Sequence, residues 1–134
     1  MSLGSFVQSG LSIETDNHQT RILSGMWPAF GNCTAEMLEV AKKNLRLHFA
    51  VVGLTEYFEQ SMVLMRKTLG WNIPFHLSLI RKAFGGSSQF YEKTNVSINR
   101  PQKEDLSEDD LNTIKKFNEL DLKLYSHVEE LFYK

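Results

Sequence analysis

The sequence predicts an α/β unit within a chain that is itself mostly α-helical, with one short buried strand near residues 49–52. Two features carry that expectation. Phe49, Ala50, Val51 and Val52 form an uncharged, aromatic and β-branched run that Gly53 ends, the pattern of a strand covered on both faces. Directly afterwards Phe58, Met62, Met65 and Leu69 recur at helical spacing before Gly70, so the strand runs into an amphipathic helix with a glycine stop.

The remaining elements follow in chain order. Residues 1–15 show a short apolar set, Phe6, Val7, Leu11 and Ile13, among Ser and Gly, which reads as a poorly ordered start with a fraying helix end. Asp16 or Asn17 caps a short helix through Ile22 and Leu23 that Ser24-Gly25 ends. Thr34 then opens a helix over 35–47, with Glu36 and Glu39 near its positive end and Lys42, Lys43 and Arg46 toward its negative end. Met37, Leu38, Ala41 and Leu45 form its apolar side.

Thr55 is the expected cap of the helix after the strand, and Glu56 suits its dipole. Between 72 and 105, Pro74, Gly85-Gly86-Ser87-Ser88 and Pro101 interrupt any long element, so this stretch is expected to be a surface excursion. Ser107, followed by Glu108, Asp109 and Asp110, begins a last helical region whose apolar positions run from Leu111 to Leu131. Asn118, with Asp121 three residues on, allows either one long helix or two abutting ones.

Composition bounds the function classes. The chain has 134 residues, 42% of them apolar, enough for one cored domain. Fifteen basic and sixteen acidic residues give a net charge of -1, so no global field attracts nucleic acid or an anionic membrane. The single cysteine, Cys33, excludes an internal disulfide, and with four scattered histidines it gives no metal-ligand spacing. A reducing, cytoplasmic setting is the simplest expectation.

Candidate sites are few. His18, His48, His76 and His127 invite a catalytic-base reading because an ordinary imidazole titrates near neutrality, but their positions at a helix end, in the excursion or on the last helix argue against it. No catalytic residue is assigned. Thr55-Glu56 at the strand-to-helix turn suits capping better than anion binding, because the carboxylate repels a phosphate. Lys42, Lys43 and Arg46 read as a solvated helix end or as a contact for an acidic glycan.

Four blocks in order resemble the C-terminal part of carbohydrate sulfotransferases, most closely the heparan sulfate 6-O-sulfotransferase type. They are Asp16-Asn17-His18-Gln19-Thr20-Arg21-Ile22-Leu23-Ser24-Gly25, Ala41-Lys42-Lys43-Asn44-Leu45-Arg46, Val52-Gly53-Leu54-Thr55-Glu56, and Asn118-Glu119-Leu120-Asp121-Leu122-Lys123-Leu124-Tyr125. The resemblance implies a P-loop-kinase-like three-layer α/β fold, 3'-phosphoadenosine 5'-phosphosulfate as donor and a sugar hydroxyl as acceptor. It also implies a single C-terminal domain or fragment over 1–134.

The same resemblance gives the site residues. Ser97 and Arg100 fall where the family closes a loop over the cofactor's nucleotide end, against the alternative of an ordinary polar loop. Gln19, Thr20 and Arg21 fall at the acceptor side, with Arg21 suited to a sugar sulfate or carboxylate or, alternatively, to a structural ion pair. The family's Pro-Lys-x-Gly-Thr-Thr-like donor loop and its Arg-Asp-Pro segment are absent from this sequence. The expected partners are therefore a carbohydrate acceptor together with an N-terminal complementing segment or a second copy of the chain. The alternative is a non-catalytic helical oligomerisation or interaction module derived from that family.

Overall fold

The computed structural model describes residues 1–70 and 103–133. Six α-helices occur among them: α1 (Leu3–Gln8), α2 (His18–Ser24), α3 (Ala35–His48), α4 (Phe58–Leu69), α5 (Glu108–Phe117) and α6 (Glu119–Phe132). Short 3-10 turns at Ile13–Thr15, Thr55–Tyr57 and Lys103–Asp105 complete the elements. Helix α1 packs on α5, and α3 packs on both α2 and α6.

Several helix ends obey their local signals. Thr34 accepts from the Met37 amide and Ser107 from the Asp110 amide, each satisfying a donor that has no intrahelical partner. Gly25 closes α2 in the left-handed region at φ 74°, a conformation glycine adopts without a Cβ penalty. Within residues 1–15, expected to be poorly ordered, α1 forms and buries Val7. Asn118 separates α5 from α6 at φ -117° and ψ 25°, so the last region is two abutting helices.

The core lies between α3 and α6. Leu38, Ala41 and Leu45 meet Leu124, Val128 and Leu54, with Leu23, Val52, Tyr57, Leu120 and Phe132 packed around them. The i, i+3, i+4 spacing on both helices supplies this seam.

The buried strand near 49–52 is not present. Phe49 and Leu54 have extended dihedrals, but a strand also needs a neighbour to take its backbone groups. Among the described residues no backbone hydrogen bond joins 50–53 to another segment, and Phe49 is half exposed. Leu54 is tied instead by Ser61, whose Oγ accepts from the Leu54 amide at 2.9 Å and donates to its carbonyl at 3.0 Å. The apolar, β-branched run therefore forms an extended connector in a helical body.

The expected cap at Thr55 is also absent. Thr55 starts a 3-10 turn, and α4 begins only at Phe58 with no side-chain cap. Tyr57 anchors that turn by stacking on Phe132 at 5.6 Å. Beyond its first turn α4 leaves the core: Val63, Leu64 and Leu69 are exposed.

Candidate functional site

Helix α2 has only seven residues, too few to be stable by propensity. Its first residue is preceded by Asn17, held at φ 48° with its side chain turned away from α2. The missing cap comes from the far end of the chain. Asp121, in the first turn of α6, accepts from the Gln19 amide at 3.0 Å with Oδ2, and from the Thr20 amide and hydroxyl at 2.7 Å each with Oδ1.

Asn17 caps α6 reciprocally. Its Oδ1 accepts from the Leu120 amide at 2.8 Å and the Asp121 amide at 3.2 Å. The Asn17 amide donates to the Phe117 carbonyl at 3.1 Å, and the Asn118 side chain donates to the Thr15 carbonyl at 3.1 Å. Two helix N-termini thus meet and satisfy each other's free donors, with a carboxylate at the positive end of α2.

A similar device holds α1. The Asp110 Oδ1 accepts from the Gly4 amide and the Ser2 hydroxyl, both at 2.9 Å. The Ser2 hydrogen bond lowers the Asp110 carboxyl from its ordinary value, with the Gly4 amide adding to the effect.

Beneath α2 lies a buried ion pair. Arg21 has no exposed side-chain surface and pairs its Nη2 with the Asp16 carboxylate. Its Nε donates to the Asp16 carbonyl and its Nη1 to the Pro28 carbonyl, both at 2.7 Å. Asp16 also accepts from the Gly31 amide at 2.8 Å and the Asn17 side chain at 3.0 Å. Complete pairing is what makes a buried guanidinium tolerable. Cys33 approaches the same carboxylate at 3.7 Å, and burial, then the Asp16 charge, push its thiol up.

The candidate acceptor residues therefore separate. Thr20 and Arg21 are buried in structural networks, and Gln19 is exposed with its amide committed to Asp121. Ser97, Arg100 and His76 lie outside the described residues. His48 is exposed at the end of α3. His127 takes a hydrogen bond from Arg46 across 3.1 Å, and burial, followed by the Arg46 and Lys42 charges, holds its imidazole below the ordinary value. His18 is half-buried, and its Nδ1 is buried with no partner among the described residues.

An open groove of about 560 Å³ runs between α3 and α6, lined by Lys42, Lys123, His127, Glu119, Glu130 and neighbours. Lys42 pairs with Glu39 and Lys123 with Glu119. Its charges are largely neutralised in place. The N-termini of α1 and α2, which resemble anion sites in isolation, are filled by Asp110 and Asp121. The described residues thus provide no cradle that fits a phosphosulfate donor.

Asn17 and Asp121 escape a reading based on local spacing because their partners are 101 to 104 residues away. A visible signal was nevertheless present. The first and fourth blocks of the family resemblance are the two segments that interlock.

Comparison with known proteins agrees with that resemblance. The chain is 35% identical over 96 residues to heparan-sulfate 6-O-sulfotransferase 1-B of Danio rerio, covering 72% of this chain and 19% of that protein. It therefore spans about a fifth of the length of that relative. No family model matches the chain, and no solved structure matches it. The relationship is sulfotransferase-like. Among the described residues no helix is long and apolar enough to cross a membrane.

Proposed function

We propose that this sulfotransferase-like chain forms the acceptor side of an enzyme that moves a sulfuryl group from 3'-phosphoadenosine 5'-phosphosulfate to a carbohydrate hydroxyl. The observation that carries the reading is the interlock of Asn17 with Asp121, because it joins two of the four resembling blocks into one rigid unit. The donor-binding loop is supplied by sequence outside these 134 residues, and the complementing segment is the partner. Within this division the chain's residues position the acceptor, and the donor chemistry belongs to its partner.

The rigid unit suits positioning. Asp16, Thr20 and Arg21 hold helix α2 and the following loop, so side chains exposed on them keep a fixed geometry, as accurate placement of an acceptor hydroxyl requires. Isothermal titration with 3'-phosphoadenosine 5'-phosphate tests the assignment. Binding is expected for the chain combined with the N-terminal portion of a heparan sulfotransferase. Absence of binding to that combination, when the portion and this chain co-purify, would overturn it.

A second reading, the non-catalytic oligomerisation module, is favoured by one observation. The exposed side of α4 and the unpaired connector at 50–53 form apolar surface without a cover among the described residues. Light scattering decides this reading. A homo-oligomer that resists the complementing portion supports the module, and a monomer counts against its oligomeric form.

A further inference from the structure

Trp27 is 53% exposed, an unusual position for so large an apolar ring. The loop that presents it is fixed on both sides. The Met26 amide donates to Ser24 Oγ at 3.2 Å, the Pro28 carbonyl accepts from Arg21 at 2.7 Å, and the Gly31 amide donates to Asp16 at 2.8 Å. A buried ion pair thus holds an exposed indole in one place, and such rigid presentation characterises binding loops rather than connectors.

The surroundings select the chemistry of the ligand. The His18 ring meets Trp27 edge to face, centroids 5.9 Å apart, and its buried Nδ1 has no partner among the described residues. A buried polar atom left unpaired is costly, and a ligand hydroxyl relieves that cost when the imidazole shifts to meet it. Gln19 follows on the same exposed turn, and its amide both donates and accepts. Ile22, one turn after His18 on the same helix face, is also exposed.

An aromatic face rimmed by groups that donate and accept hydrogen bonds suits a ring with C–H faces and equatorial hydroxyls. We propose that Trp27, with His18 and Gln19 at its rim, is a stacking platform for a pyranose of the acceptor saccharide. The assignment rests on the acceptor-side reading above and names the part of the chain that touches the sugar.

The test uses the full chain labelled with 5-fluorotryptophan. Its two tryptophans, Trp27 and Trp71, give two fluorine resonances, and Trp27→Phe identifies the first. Titration with a heparan hexasaccharide lacking 6-O-sulfate should shift the Trp27 resonance saturably in the millimolar range or below. Calorimetry on Trp27→Ala should show affinity reduced about tenfold or more with an unchanged melting curve, and Gln19→Ala should show a smaller loss.

A Trp27 resonance that does not move at saturating saccharide overturns the platform, as does Trp27→Ala binding within twofold of the parent. Donor-product binding by the complemented protein, measured separately, keeps the two failures apart. Loss of saccharide binding alone removes the platform and leaves the sulfotransferase reading standing.

Discussion

The interlock between α2 and α6 and the arm formed by residues 49–69 solve the same problem in opposite ways. In the interlock, the seven-residue α2, too short to persist alone, is completed by a carboxylate from a distant part of the chain. In the arm, the twelve-residue α4 stays half out of the core, and the extended segment before it has no backbone partner among the described residues. Local sequence quality therefore did not decide which region is the better anchored. Complementary partners did.

The largest expected effect tests the anchored region at its centre. Arg21→Ala leaves the Asp16 carboxylate buried without its cation and should cost about 3–5 kcal/mol, read as a shift of the urea midpoint at constant slope. If the loss is below about 1 kcal/mol, water reaches this site and the contrast with the arm weakens.

Gly53→Ala probes a tight contact inside the arm. Its added Cβ would lie 2.8 Å from Ser61 Cβ, displacing the hydroxyl that holds Leu54. A cost of about 1–3 kcal/mol is expected, visible as a lowered melting temperature.

Asp121→Ala removes the cap of α2 and should cost about 1–2 kcal/mol. Combined with Asn17→Ala, the double change should cost less than the sum, because each side chain positions the turn that the other caps. Strict additivity in that double-mutant cycle would show two independent caps rather than one interlock.

A pH series gives a smaller effect at the α3–α6 seam. The unfolded His127 takes up its proton before the folded one, whose affinity burial and then Arg46 and Lys42 reduce. Its contribution is complete above the ordinary value of 6.5 and is lost as pH falls through the lower folded value. Urea midpoints between pH 7.5 and 5 should fall with acidification in the parent, and His127→Gln should flatten that slope. Carboxylates such as Glu39, lowered by the Lys42 hydrogen bond, act in a more acidic window.

The smallest effect belongs to the exposed arm. Val63→Ser, at a position 54% exposed, should change stability by less than about 0.5 kcal/mol in the isolated chain. A substantially larger loss would mean that this face is covered in solution.

Legibility from sequence follows the same division. Caps within three residues of their targets, such as Thr34 and Ser107, and the seam of Leu45, Leu124 and Val128 could be read directly, because their partners lie within one or two turns or on a periodic face. The strand at 49–52 was read from residue type, but residue type cannot reveal whether a pairing edge exists. At the candidate site Arg21 was visible as either ligand or ion pair, and the burial that separates those alternatives depends on Pro28, Gly31 and Asp16 converging in space. Trp27 carried no motif at all. Its interest arises from exposure on a pinned loop.

The cap of α2 also has a consequence for synthesis. Gln19 and Thr20 leave the ribosome about 100 residues ahead of the carboxylate that completes their helix. At ordinary elongation rates of about 5–20 residues per second, the nascent chain exposes that unfinished turn for several seconds. Completion of the α2 turn must therefore await synthesis of Asp121, and a chain broken off before that residue would leave the turn uncapped.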